Sequence, residues 1–580
     1  MLDVLNLSHL PSKQQGPAVT LDEVSLAVPA GHLLGMVGPT GSGKSTLLRL
    51  IAGLETPAAG EIRFQGHDTA VSPMHPNHLG FVEATDEGLI EVLTVRELLM
   101  STHMLRVADQ SHDQRQDRIS KLLVGLGLEM AATLRVGSLP LSTRRRLKLA
   151  LALVSDPLLV LCDEFTEGLD VKSAQELTAL LRWVMEDLPG RIVIHASQSL
   201  SNLAAYDSVL ILDEGHVCFH GPAKAVPHYF SITTLEELYP RLAKRPADRW
   251  GESWSRHRDQ YYEVFKLGEL VRPADEAPAS EDSGSEEPAE PPARRHEAAP
   301  APEFAKPAAL PSLLSQAAHL TRRRWTQWRR TQREWLEHLA LFMACPMIAM
   351  LLVAPNTGYL SEMWSSNDLP EVLWPAAFTC LMILFVQVLL ILMISLRLSV
   401  KEVARERVLF ERERTAGVSS AAYLASKLAF LIPLMIAHGA ALVLLVVLMG
   451  GHLPGNNCLR LGLLVLSGVA FSCLCLGLSA CSRSADRAHA HAWKLWAANL
   501  LLSGALLGFP RPLGAVLQPF LTAYYGWSGS VDTLTGVIVF EPMTRLVRTW
   551  FATPAGAATA LLMHGVAGIA LAAWGLKRRR

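Results

Sequence analysis

The chain has 580 residues, half of them hydrophobic and 18% charged, with a formal net charge of −1. That length exceeds one domain, and a balance so near neutral offers no electrostatic footprint for a nucleic-acid partner. The eight cysteines follow neither a disulfide framework nor a zinc spacing, and Cys473 and Cys475, two apart, would point away from each other on a helix. Met1 to Lys13 carries no basic start and no apolar run, so no cleavable signal is expected and the first half of the chain is expected in the cytoplasm.

The first half reads as a soluble α/β domain. An apolar, strand-like run, Leu33 to Val37, leads into Gly38, Pro39, Thr40, Gly41, Ser42, Gly43, Lys44 and Ser45, and a helical run follows from Thr46 to Ile51. This is the phosphate-loop pattern in its strand–loop–helix context. Its glycines let the backbone turn N–H groups toward phosphate oxygens, and the helix N-terminus adds partial positive charge. Lys44 is expected to reach the β- and γ-phosphates, with the Ser45 hydroxyl on Mg2+. A second buried strand, Leu158 to Cys162, ends in Asp163 and Glu164. Asp163 fits the Mg2+-binding carboxylate of phosphate-loop proteins, and Glu164 is placed to polarise an attacking water.

Residues 1–235 are assigned to this nucleotide-binding domain and 236–272 to a helical extension. Residues 273–308, rich in Pro, Ala and Glu, are too polar to bury a core and read as a disordered acidic linker. Residues 309–580 read as a membrane domain. It opens on a basic, Trp-bearing amphipathic helix at about 315–335, expected on the inner leaflet of the bilayer. Six apolar stretches approach the roughly 20 residues a membrane-spanning helix needs: 339–353, 372–396, 428–449, 461–481, 492–509 and 556–576. Lys and Arg cluster before the first, after the second, after the fourth and at the end, which places both termini in the cytoplasm. The loop from Pro510 to Pro554 is then external, and its aromatics read as interface anchors in preference to a segment that re-enters the bilayer. His438 and His564 are intramembrane ionisable residues, and each reads equally as a packing residue.

Four stretches carry a family resemblance: Ile51 to Leu54; Glu164 to Asp170; Gly221 to Lys224 with Tyr229 and Phe230; and Glu411 to Arg414 with Gly417, Tyr423, Ser426 and Lys427. With the phosphate loop, they make the chain resemble an ABC half-transporter of the G (White) subfamily, whose nucleotide-binding domain precedes the membrane domain. The resemblance implies an α/β phosphate-loop fold followed by an all-α bundle of about six transmembrane helices. It also implies ATP and Mg2+ as ligands, a second half-transporter as partner, and a dimer contact near Asp170. The stretch at Glu411 would be a cytoplasmic helix that docks on the nucleotide-binding domain.

The chain departs from that family at three motifs. Where the signature places a glycine pair, it has Leu139, Pro140, Leu141, Ser142 and Thr143, so the glycine turn is absent and Pro140 has no N–H to offer. Ala84 stands near the expected position of the glutamine after Gly80-Phe81-Val82, and Ser197 stands where the switch histidine belongs. A local bulge is one way for His195, two residues earlier, to take that place. His9 is a weak substitute for an adenine-stacking aromatic. The expected function is export of a hydrophobic or amphipathic substrate by a multi-pass protein of the plasma (bacterial inner) membrane, driven by ATP binding and slow hydrolysis. The alternative is a catalytically impaired regulatory or scaffold subunit that pairs with a competent partner.

Overall fold

A computed structural model describes residues 1–9, 21–83, 85, 88–264, 308–353, 370–448, 453, 455–506, 511–547 and 550–578. The chain divides into two units, Met1–Pro311 with Thr415–Gly417, and Ser312–Arg414 with Val418–Arg580. Residues 273–307 of the expected linker lie outside the described residues, as does Ala84.

The first unit joins two sheets. An antiparallel sheet has the order β2 (Leu21–Val28), β1 (Leu2–His9), β4 (Ala59–Phe64), β5 (His67–Asp68). The other runs β10 (His216–Gly221), β9 (Ser208–Asp213), β3 (Leu33–Val37), β8 (Ile192–Ser197), β7 (Leu159–Asp163), β6 (Leu79–Val82). In that sheet β3 pairs in parallel with β8 and β9, and β7 with β6 and β8. Every residue of β3, β7 and β8 is buried, as the unbroken apolar runs of β3 and β7 require of strands covered on both faces. Leu47, Leu48, Leu50 and Ile51 of α1 (Lys44–Ile51) pack into the same core as Leu34, Met36 and Leu161. Each such side chain contributes about 1.5–3 kcal/mol of burial. This core fixes the loops at the C-terminal ends of β3, β8 and β7 side by side.

Helices α2 (Val95–Arg106), α3 (His112–Gly125), α4 (Leu141–Leu153) and α5 (Val171–Asp187) complete the domain. α6 (Val226–Phe230) closes the domain, and the expected extension holds α7 (Leu238–Leu242) and α8 (Ala247–Val264), its residues 265–272 lying outside the described residues. An aromatic cluster fastens α8 to β10, with the Trp254 and Phe219 ring centroids 5.1 Å apart.

The second unit is helical: α9 (Leu313–Arg330), α10 (Gln332–Val353), α11 (Pro370–Ser399), α12 (Arg407–Thr415), α13 (Ser420–Leu448), α14 (Asn457–Cys481), α15 (Ala485–Leu502), α16 (Arg511–Leu517), α17 (Thr522–Asp532), α18 (Phe540–Leu546) and α19 (Pro554–Lys577). Among the described residues five of these are long and apolar enough to cross a membrane: α10, α11, α13, α14 and α19. The fifth expected span, 492–509, differs. Residues 492–502 fall in α15, which starts earlier, takes in Asp486, Arg487 and Lys494, and stops at Leu502 before a bend over 503–506, while 507–509 lie outside the described residues.

The segment expected as an external loop is also largely helical. Most of α17 is buried; Trp527 is fully enclosed and donates its indole N–H to Leu381 O at 3.2 Å. Trp527 is therefore a core residue and not an interface anchor, while Trp550 is 71% exposed. The basic helix differs from expectation in the same sense. Arg323 and Arg324 of α9 are buried, the first in an ion pair with Glu413 and the second with Glu402 and Glu334. Lys427 joins them, 2.9 Å from Glu402 and 2.6 Å from Glu406. Buried charges are tolerated only when paired in this way.

His438 Nδ1 lies 2.8 Å from Leu434 O, and His564 Nε2 lies 3.0 Å from Pro519 O, so each histidine is tied to backbone. Cys473 and Cys475 are buried free thiols.

Candidate nucleotide-binding site

The phosphate loop leaves β3 at Gly38 and enters α1 at Lys44. Gly41 and Gly43 have φ of +84° and +102°, a region that only glycine enters without strain. Gly38 has no room for a side chain, because a Cβ there would stand 2.2 Å from Leu212 O. The Lys44 ammonium is buried, donating to Gly38 O and Pro39 O at 2.9 Å each and to Ser42 Oγ at 3.3 Å. Ser45 Oγ donates to Asp163 Oδ1 at 2.8 Å. Thr46 follows in the first turn of the helix.

Burial pushes the Lys44 pKa down despite the carboxylates of Glu164, Asp163 and Glu167, and burial pushes Asp163 up despite the Ser45 hydroxyl. The site thus sets a buried ammonium near a buried carboxylate and a serine hydroxyl. Lys44 and the loop N–H groups would hold phosphate oxygens, and Ser45 and Asp163 are the oxygen donors a hard cation takes, so the residues present fit a nucleotide with Mg2+.

Glu164 lies one residue past the strand, at φ +43°, a left-handed conformation that a non-glycine residue rarely adopts. Its N–H donates to Ala196 O of β8 at 3.0 Å. Burial alone would raise its pKa; hydrogen bonds with Gln198 and Glu167, and the charge on Lys44, hold it below the ordinary value. Glu164 is therefore ionised and held from two sides.

Gln198 follows directly on the end of β8 at Ser197, and the fold makes it part of the site. Its amide donates to Glu164 Oε1 at 2.8 Å and accepts from Thr40 Oγ1 at 3.0 Å, so it bridges phosphate loop and carboxylate. The adjacency of β3, β8 and β7 brings these three loops together, and no linear spacing encodes it. Tyr239 of the extension donates to Gln198 O at 2.5 Å and fixes the same loop from behind.

The bulge that would have delivered His195 is absent. β8 runs in step with β3 from Leu33↔Val193 to Val37↔Ser197, and with β7 through Cys162↔His195. His195 is consequently fully buried, its Nδ1 2.8 Å from the Tyr206 hydroxyl, and burial lowers its pKa to about 4. Ser197 is buried too, and its hydroxyl accepts from Ser199 N–H at 3.0 Å.

The other departures take definite forms. Pro140 is the N-cap of α4 and supplies no side-chain cap, and Ser142 sits half-buried in the first turn. Arg144 folds back over this junction, donating to Leu139 O at 3.0 Å and Gly137 O at 2.9 Å. Lys148, one turn further, is buried and donates to Glu83 O and Thr85 O on either side of Ala84. Asp170 caps α5, accepting from Ser173 N–H at 3.0 Å and Ser173 Oγ at 2.6 Å. His9 lies 3.5 Å from Glu55.

Fold and site together define a phosphate-loop nucleotide-binding domain on one chain with a helical membrane domain. Residues 21–167 match the ABC transporter family and residues 315–511 the ABC-2 type transporter family. The chain belongs to the ABC transporter family, with the domain order of its G-subfamily half-transporters.

It is 26% identical, over 93% of its length, to the ABC transporter ATP-binding/permease protein Rv1747 of Mycobacterium tuberculosis, and covers 58% of that protein. With ABC transporter G family member 26 of Arabidopsis thaliana it shares 32% identity over 42% of this chain and 36% of the relative. The lipoprotein-releasing system ATP-binding protein LolD of Chromohalobacter salexigens is 33% identical over 35% of this chain and 88% of its own length. The chain thus spans little more than half of the first relative and about a third of the second. A solved dimeric ATP-binding cassette with ADP and Pi aligns at 24% identity with a TM-score of 0.34, over 38% of this chain and 99% of that one.

Proposed function

We propose that the chain binds ATP with Mg2+ and works as one half of a dimeric exporter of a hydrophobic or amphipathic substrate. The observation that carries this reading is the joining of the buried Lys44 and Asp163 with the half-buried Ser45 and Glu164 into one site on a chain that also carries a membrane domain. Lys44 and the loop N–H groups hold phosphate oxygens, Ser45 and Asp163 hold the cation, and Glu164 orients and polarises the attacking water. Mg2+, when bound, supplies charge neutralisation on the phosphates. Asp170 lies at the dimer contact, both termini face the cytoplasm, and the membrane is the plasma or bacterial inner membrane.

Hydrolysis on this reading is slow. With Pro140, Leu141 and Ser142 at the signature, the partner's phosphate lacks the backbone donors of a glycine turn. Each donor lost from a transition-state cradle costs about 2.7–4 kcal/mol. The same observation favours a second reading, a regulatory subunit that binds ATP and gates a competent partner.

Steady-state ATPase in lipid nanodiscs, with nucleotide affinity measured in parallel, separates the two readings when wild type is compared with Glu164→Gln. A wild-type rate well above the variant's at similar affinity supports the exporter. Equal, near-zero rates with tight binding leave the regulatory subunit.

A further inference from the structure

The amide of Gln198 has two N–H donors and two acceptor lone pairs. One N–H goes to Glu164 and one lone pair to the Thr40 hydroxyl. The second N–H has no partner among the described residues. A neutral donor is therefore free between the loop that cradles phosphates and the carboxylate that faces water. A cavity of about 250 Å3 lined by Glu164, Gln198, Glu167 and Ser199 lets water reach the pair. Both strand neighbours also line this cavity, the buried His195 ring with its Nδ1 2.8 Å from the Tyr206 hydroxyl and the Ser197 hydroxyl accepting from Ser199 N–H at 3.0 Å. The Tyr239 bond to Gln198 O holds the backbone from which the amide projects.

We propose that Gln198 is the residue that senses the terminal phosphate, steadying Glu164 with one N–H and presenting the other to the γ-phosphate oxygen. The step is one of binding and positioning, and no proton leaves the amide. A side chain that does not titrate replaces one that does, so the contact is insensitive to pH near neutrality. This inference rests on the reading of the site as an ATP site.

The test uses the full chain in nanodiscs and compares affinity for MgADP with affinity for a non-hydrolysable Mg-ATP analogue. Wild type is expected to prefer the triphosphate. Gln198→Ala should reduce that preference about tenfold while ADP affinity stays unchanged, as expected for one lost hydrogen bond to a charged group. Gln198→Glu, of equal size, should reduce it further, because a carboxylate has no donor and repels both Glu164 and phosphate. A preference unchanged in Gln198→Ala overturns the proposal, as does an equal loss for both nucleotides, which would make Gln198 a spacer. A wild type that binds MgADP without preferring the triphosphate overturns it as well. Failure of wild type to bind either nucleotide would sink the ATP-site reading itself, and the inference with it. The probe is not hydrolysed, so the Glu164→Gln rate comparison bears on turnover alone.

Discussion

Ser45 Oγ donates to Asp163 Oδ1 at 2.8 Å although the two residues are 118 positions apart. The oxygens that would share the cation are in contact before it binds. Ser45→Ala removes one ligand and leaves the buried Asp163 without its donor. Loss of a hydrogen bond to a charged group, about 1.5–3 kcal/mol, corresponds to about 10- to 100-fold in affinity. That loss is expected in the Mg2+-dependent part of ATP binding and not in the Mg2+-free part, as titrations with and without EDTA will read.

His195 gives a pH signature. Burial lowers its pKa to about 4 from 6.5, so the folded state takes up a proton less readily than the unfolded one. The stability it contributes is fully present above pH 6.5 and is lost as pH falls toward 4. Thermal unfolding of the nucleotide-binding domain should show this decline, and His195→Gln should flatten it. At pH 7.5 the same variant should bind nucleotide as wild type does, because His195 is buried and paired with Tyr206.

The Arg323–Glu413 pair is buried on both sides. Breaking it from one side leaves an uncompensated charge, at a cost of about 3–5 kcal/mol. Arg323→Met and Glu413→Met should each lower the unfolding temperature of the membrane domain strongly. The double replacement should recover much of the loss. If the two single losses simply add, the residues do not act as a pair.

Glu402 makes the acid limb of that domain's stability legible. Burial alone would raise its pKa, but Lys427 and Arg324 outweigh burial and hold it near 2, against an ordinary 4.5. A depressed carboxylate stabilises the fold above its unfolded value and loses that contribution as pH falls through its folded one. Stability should therefore decline between about pH 4.5 and pH 2, and Glu402→Gln should weaken the fold at pH 7 while removing much of that slope.

Trp527 and Trp550 separate packing from anchoring. Trp527→Ala opens a cavity in the helical core and is expected to cost about 3–5 kcal/mol. Trp550→Ala, at an exposed position, should leave the unfolding temperature nearly unchanged. Equal effects would mean that α17 is not part of the packed core.

The phosphate loop and the Asp163–Glu164 pair were legible in the sequence because each is a short local pattern whose chemistry depends on adjacent residues. The site's other half was not. Gln198 acquires its place through the order of three strands, and His195 loses its place through a register with no slip. Periodicity sees neither. Hydropathy found the long apolar helices but read 510–554 as a loop, because a window that averages composition cannot distinguish a buried, semi-polar helix such as α17 from an exposed loop. The arginines of α9 suggested a lipid-facing surface because their carboxylate partners lie 78 and 90 residues away.

Arg323 and Arg324 are consecutive, so their side chains leave α9 about 100° apart, and they are held by carboxylates at Glu413 and Glu402. A rod gripped from two directions cannot roll about its own axis without letting go of one grip. Any displacement of α9 must then be passed on as translation or tilt, carrying the 402–413 segment with it as a single lever. Freedom to slide without freedom to spin is what a splined shaft provides, and two neighbouring arginines are enough to cut the spline.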